Sequence, residues 1–430
     1  MVFSSSVYWR GVTMTQRERR GWVIVASLFA ALFLIAGSGA NTFGIFLPVL
    51  LKAFPHWSRA KVALLPSALF FSWGVTVIPV GWLLDRVEAR LLMIFGAIAA
   101  GGAFLIASRS NSFNPMLAAY LLLGLGISTG TLAPAAFVLA NWFEARRGLA
   151  MGITMAGTTA GGMAMTLVAN HVISDAGWRT AYVALGVPMI VVVVPLTALV
   201  VRSRPPRISA VPQPSMTVAQ GANLLEGFEV PEALRTRSFW MLVVAHFCFG
   251  LMVVGMVVHM IAYLESLGYK ASGAALAMSA LFGLGGLGKV MIGYVADRIG
   301  ARMALAADFA AIALAFLLVF SAARVSVLIV FILTFGIATA APVALLPLLV
   351  AESLGRRRYG VLGALTGIGG TIGGAVGPVI AGRIFDITGG YAAAFELFIL
   401  ADAVGALATF VCQSYAQSSG MSIAQASASA

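Results

Sequence analysis

Charge is scarce in this chain of 430 residues: Asp, Glu, Lys and Arg together make up 10% of it, where a globular protein carries about a quarter. Acid is scarcest, with 15 carboxylates against 27 basic residues, and there are only four histidines. The two cysteines, Cys248 and Cys412, both lie in apolar stretches, which excludes a disulfide framework and a Cys-based metal site. What fills the space is apolar: 60% hydrophobic residues and a mean hydropathy of +0.98. Water-soluble enzymes, nucleic-acid binders and disordered chains are excluded together. A net charge of +12 would fit nucleic acid only if the basic residues clustered on a folded surface. Here they punctuate apolar runs, so the chain reads as a polytopic membrane protein.

A crossing needs roughly 20 mostly apolar residues to traverse about 30 Å of hydrocarbon. Twelve such stretches are present, approximately 21–50, 62–84, 91–108, 115–140, 148–172, 179–201, 239–264, 272–295, 302–321, 325–350, 361–383 and 391–412. They divide the chain into an N-terminal segment 1–20, a six-helix bundle 21–201, a polar linker 202–237, a second six-helix bundle 238–412 and a tail 413–430. Residues 1–20 hold no long apolar core, so no cleavable signal peptide is expected, and Met14 opens a segment that looks like a more usual start. Lys and Arg set the orientation. With the N-terminus inside, eighteen of the 27 basic residues fall on the cytoplasmic side and eight on the outer side. Both termini are then cytoplasmic, in a plasma membrane or, for a bacterium, the inner membrane. One basic residue, Lys289, fits neither side because it lies inside a span.

The halves repeat. Gly81-Trp82-Leu83-Leu84-Asp85-Arg86-Val87-Glu88-Ala89-Arg90 matches Gly293-Tyr294-Val295-Ala296-Asp297-Arg298-Ile299-Gly300-Ala301-Arg302 at an offset of 212. At the same offset Gly148 meets Gly360, Gly157 meets Gly369, and Gly161-Gly162 meets Gly373-Gly374; Asp175 and Asp386 correspond at 211. Two parallel six-span repeats are what an alternating-access carrier needs, one half rocking against the other around a central site.

At these residues the chain resembles the major facilitator superfamily. The loop motif after span 2 and its copy after span 8 carry the resemblance, with Glu88 standing where a glycine is usual. Three finer motifs resemble the monocarboxylate porters and the oxalate:formate antiporters: Trp142 to Gly152 entering span 5, Gly177 to Tyr182 entering span 6, and Gly377 to Tyr391 closing span 11. The resemblance implies an all-α fold of twelve transmembrane helices in two pseudo-symmetric bundles, acting as a monomer without a cofactor, with a proton as the candidate coupling ion. Its partners would be the lipid bilayer and a small organic anion, not nucleic acid.

Lys289 leads the candidate substrate residues. It lies eight residues before Asp297, hence about 12 Å inside the span at 1.5 Å per residue. A charge so deep should face a wet cavity and meet an anion. In the resembled porters the equivalent position usually holds an arginine paired with the substrate carboxylate; a lysine keeps the charge but loses the two-pronged grip. His259 in span 7, Asn41 in span 1, Tyr120 in span 4 and Asn170 in span 5 are the further candidates. The loop groups Asp85, Arg86, Arg90, Asp297, Arg298 and Arg302 are expected to latch the inner gate. Asp308, Glu396 and Asp402 lie in spans 9 and 12, which are peripheral in the resembled fold, so helix packing is their expected role. Glycine-rich runs such as Gly283 to Gly288 sit inside spans with no preceding strand, which favours close helix packing over a nucleotide loop. The expected activity is secondary transport of a small organic anion, a monocarboxylate such as lactate or pyruvate, by proton symport or by anion exchange. Export of other small molecules on the same fold is the alternative.

Overall fold

A backbone in hydrocarbon must satisfy its own hydrogen bonds, and helices do so within one segment. The computed structural model describes residues 16–84, 86–143, 146–203 and 227–415. Among them, eleven helical runs are long and apolar enough to cross a membrane. One of these, Gly148–Val200, has 53 residues and would reach about 80 Å if straight. It reverses at Gly177, whose φ of +80° a side chain would resist. It is therefore two spans, and the total is twelve.

The spans are α1 (Arg19–Ala53), α2 (Arg59–Leu84), α3 (Ala89–Arg109), α4 (Phe113–Trp142), α5 (148–176), α6 (178–200), α7 (Arg237–Ser266), α8 (Ala271–Ile299), α9 (Ala301–Val319), α10 (Val325–Leu354), α11 (Tyr359–Thr388) and α12 (Ala392–Val411). Several run past the apolar limits read from the sequence: α8 continues four residues beyond 295 and α11 five beyond 383. Hydropathy marks the hydrocarbon, while the helix continues into the interface. Three spans are interrupted. In α1 the helix breaks at Ala40–Thr42, in α4 at Thr131 (φ −127°, ψ −109°), and in α10 at Thr339.

The internal repeat is a repeat of contacts. A Cβ on Gly157 or Gly161 of α5 would lie 2.6 or 2.2 Å from the carbonyl oxygens of Phe29 and Phe33 in α1. On Gly369 or Gly373 of α11 it would lie 2.2 or 2.1 Å from those of Val243 and Phe247 in α7. The same pair of helices in each half thus meets backbone to backbone, which only glycine allows. Lipid supplies the outer solvent, so side chains such as Leu199, Leu314 and Leu400 stay exposed.

The end of the linker folds onto the C-terminal bundle. Gly227 bridges to Gly355, the Phe228 N–H donates to Leu354 O at 3.0 Å, and Glu229 pairs with Arg357 and Arg358 at 3.0 and 2.9 Å. The hydrogen bond from Arg358 holds the Glu229 carboxyl below the ordinary carboxylate range. This strap marks the linker face of the molecule.

Candidate functional site

Where the two bundles meet, α5 faces α8. Lys289 reaches across this seam: its Nζ donates to Thr159 Oγ1 at 3.0 Å. One residue earlier on α5, Thr158 O accepts from Asn41 Nδ2 at 3.3 Å. Two of the sequence-predicted residues therefore converge on consecutive residues of α5, one from each half. Asn41 is available because α1 breaks there, and Gly162 makes room for it; a Cβ on that glycine would sit 2.8 Å from Asn41 Nδ2. Above this level Ser279 Oγ donates to Met163 O at 2.9 Å, and Gly283 leaves space for the Met163 sulfur.

Lys289 is half-buried, and its hydrogen bond to Thr159 is its one polar contact among the described residues. A hydroxyl satisfies one of three ammonium donors and none of the charge. Lys289 lies ten residues, about 15 Å, along α8 from its linker-face end, inside the apolar stretch. An unpaired ammonium costs up to about 2.5–3.5 kcal/mol at a span's centre even on the lenient insertion scale. An anion placed against Lys289 would recover that cost.

The other candidates lie elsewhere. His259 is fully buried toward the opposite, far face, with Nδ1 3.1 Å from Tyr391 Oη and Nε2 2.9 Å from Pro378 O. A carbonyl only accepts, so Nε2 carries a hydrogen and Nδ1 takes the Tyr391 hydroxyl. Both ring nitrogens are committed inside the C-terminal half. Tyr120 is buried with its hydroxyl 2.8 Å from that of Tyr182, and its ring meets Phe43 edge-on. Asn170 is half-buried on α5, eleven residues beyond Thr159, with no hydrogen bond among the described residues. These three do not join Lys289.

Sequence reasoning missed the far-face lock. Asp386, at the end of α11, accepts the N–H groups of Arg59 and Ala60 at the start of α2, each at 2.9 Å. A carboxylate there meets unpaired donors and the positive end of the helix dipole. The Arg59 guanidinium lies 3.8 Å over the Phe385 ring and donates to Tyr391 Oη at 3.0 Å. A directed chain results: Arg59 donates to Tyr391, Tyr391 to His259, and His259 to Pro378 O. Gly382 permits the approach, since a Cβ there would stand 2.8 Å from Ala60 N. The available signal was the Gly377–Tyr391 motif, whose Asp386 lies at the 211 offset from Asp175. Asp175 itself pairs with His171 at 3.5 Å and is exposed, and among the described residues it caps no helix of the opposite half.

At the linker face the halves part. Added side chains on Gly81, Gly148, Gly152, Gly360, Gly363 and Gly367 would meet nothing within 4 Å. The loop charges turn to their own halves. Arg86 stacks on Trp82 at 3.6 Å and Arg298 on Tyr294 at 4.3 Å, the same contact at the 212 offset. Arg90 pairs with Glu88 at 3.4 Å, Arg302 donates to Cys412 O at 2.9 Å, and Asp297 is exposed. Asp85 lies outside the described residues. Among the described residues, every hydrogen bond between the halves lies at mid-depth or on the far face, so the cleft opens toward the linker.

Two bundles related by a repeat, closed at one face and with a half-buried lysine reaching across their seam, have the architecture of a carrier. The family model described as Major Facilitator Superfamily matches residues 28–378. The chain belongs to this superfamily. It is a transporter and not an enzyme, as its relatives' names agree. It is 25% identical over 390 residues to the "Uncharacterized MFS-type transporter YcxA" of Bacillus subtilis, covering 88% of this chain and 91% of that protein. It is 26% identical over 375 residues to the agnestins efflux protein AgnL12 of Paecilomyces divaricatus, covering 86% and 82%. In fold it is similar to a bacterial homolog of the human lysosomal transporter Spinster, solved inward-facing and unoccupied, with a TM-score of 0.67 at 18% identity over 92% and 94% of the two chains.

Proposed function

We propose that this facilitator carries small organic anions, with monocarboxylates of the lactate and pyruvate type as the leading substrates, by alternating access between its two halves. The observation behind the proposal is Lys289: a cation at mid-depth on the seam between the halves, held by a hydroxyl of the opposite half and by no carboxylate among the described residues. A substrate carboxylate displaces Thr159 from the ammonium, and Asn41 on the neighbouring residue supplies an amide donor toward the same space. In this reading the linker face is cytoplasmic, and the far-face lock between Asp386 and α2 is the outer gate. Anion uptake is coupled either to a proton or to a counter-anion.

Purified protein in proteoliposomes, given labelled lactate, pyruvate, formate or oxalate with and without a pH gradient, tests the proposal. Lys289→Ala should lower uptake at least tenfold and Lys289→Arg should retain part of it. Unchanged uptake in Lys289→Ala would sink the assignment. A second reading, export of apolar compounds, draws on the efflux relative and on a cleft of about 640 Å³ between α8 and α10 whose lining includes Leu276, Ala280, Leu284 and Ile332. Under that reading apolar dyes leave the vesicles faster than labelled anions do.

A further inference from the structure

Two acids remain that the carrier site does not use. Asp308 on α9 is 8% exposed and Asp402 on α12 is fully buried. Their helices pack at this level, where Gly405, one turn along from Asp402, leaves room for the ring of Phe309; a Cβ there would lie 2.9 Å from it. The two carboxyl groups are within electrostatic reach of each other. Three of their four oxygens, Asp308 Oδ2 and both of Asp402, are shut off from solvent and have no hydrogen-bond partner. Glu396, the remaining acid of α12, is exposed and needs no such account.

An unpaired buried carboxylate is among the most costly groups to retain, and a like charge beside it raises the cost. The fold does not require the pair. At the repeat offset the N-terminal half has Gly96 for Asp308 and, at 212 or 211, Ile190 or Val191 for Asp402. Cys248 of α7 is the titratable group facing Asp402. Arg302, earlier on α9, is bound to Cys412 O, and α8, α10 and α11 present no charged group to either acid among the described residues. A hard metal cation takes about six oxygens, and α7, α9 and α12 add no unpaired hydroxyl to these carboxyls among the described residues. A proton needs only one.

We infer that Asp308 and Asp402 form a buried proton-binding pair in the C-terminal half, separate from Lys289, which fastens α9 to α12 while it holds a proton and loosens them when it ionises. Binding is simple protonation: the proton enters from water and neutralises one carboxyl, which spares the other a like charge nearby. The site sits about 10 Å along α9 and about 14 Å along α12 from their linker-face ends. It would make the stability of this half fall in alkali whatever the carrier transports.

The test is thermal melting of the full chain in detergent, from neutral to alkaline pH, for wild type, Asp308→Asn, Asp402→Asn and the double variant. The wild-type melting temperature should fall as pH rises, the double variant should lose that fall, and Cys248→Ala should keep it. An equal fall in the double variant overturns the proposal, as does its loss in Cys248→Ala. So does a melting temperature that sodium chloride, against choline chloride at one pH, raises in wild type but not in the double variant, since the pair would then hold a metal ion. Should the Asn variants fail to fold, the Asp→Glu exchanges and infrared spectra of wild type decide. An alkaline jump should remove a protonated-carboxyl C=O band that shifts in the exchanges; no such change overturns the inference.

Discussion

Asp386 caps the helix that begins at Arg59, although 327 residues separate them and they belong to opposite halves. The carboxylate takes the N–H of Arg59 and of Ala60, while Ser58 Oγ takes that of Lys61 at 3.2 Å, so three orphan donors of α2 are satisfied. Opening the far face must break the first two of these bonds. Removing a helix cap costs about 0.5–2 kcal/mol, and about 1 kcal/mol shifts a two-state ratio roughly fivefold. Asp386→Ala should therefore move the carrier toward its far-face-open form. Spin labels at His56 and Thr388 should report a larger population of long distances; an unchanged distribution would show that other contacts hold the gate.

Thr159 is predicted to compete with the substrate. It holds Lys289 in the structure, so Thr159→Val, which keeps the shape and removes the hydroxyl, frees the ammonium. Anion binding should then tighten, with KM falling by a few fold and Lys289→Ala still inactive. Hydrogen bonds to charged groups contribute about 1.5–3 kcal/mol, which bounds the effect from above. A raised KM would instead make Thr159 a substrate ligand.

Much of the architecture was legible because hydropathy reports the bilayer directly. The twelve spans, the linker and the repeat follow from apolar length and from loops that share an offset. Lys289 was legible for the same reason, as the one basic residue that topology leaves unplaced. His259 and Tyr120 were read as cavity residues because residue type and depth do not reveal which way a side chain faces. Both are buried against Tyr391 and Tyr182, partners 132 and 62 residues away. Asp386 was hidden differently. Its role depends on a backbone N-terminus 327 residues earlier, and a backbone donor leaves no mark in residue identity. The pairing of Asp308 with Asp402 was likewise invisible, since each acid alone looks like a packing residue at a span end.

Tyr391 links the far-face lock to His259, and its hydroxyl should matter to the lock rather than to the substrate. Tyr391→Phe leaves Arg59 Nη1 without its acceptor and His259 Nδ1 without its donor. A buried unpaired group costs about 1–3 kcal/mol. Melting temperature should drop while the KM for the transported anion stays within twofold of wild type. A large rise in KM without loss of stability would place the hydroxyl in the substrate site.

The strap at the linker face should release in acid. Arg358 holds the Glu229 carboxyl below its ordinary range, so its folded-state pKa lies below its unfolded one. The contribution of the pair is complete above the unfolded pKa of about 4.3 and fades as pH falls through the folded value. Both partners are at the surface, so the effect is small and screened by salt. Hydrogen exchange of the Phe228 N–H, which bonds Leu354 O, reads the strap directly. After correction for its intrinsic pH dependence, exchange should be slow at neutral pH and should speed up below about pH 4. Glu229→Gln should exchange at the faster corrected rate across the whole range. A strap equally protected in Glu229→Gln would mean that the bridge between Gly227 and Gly355 holds it without the charge.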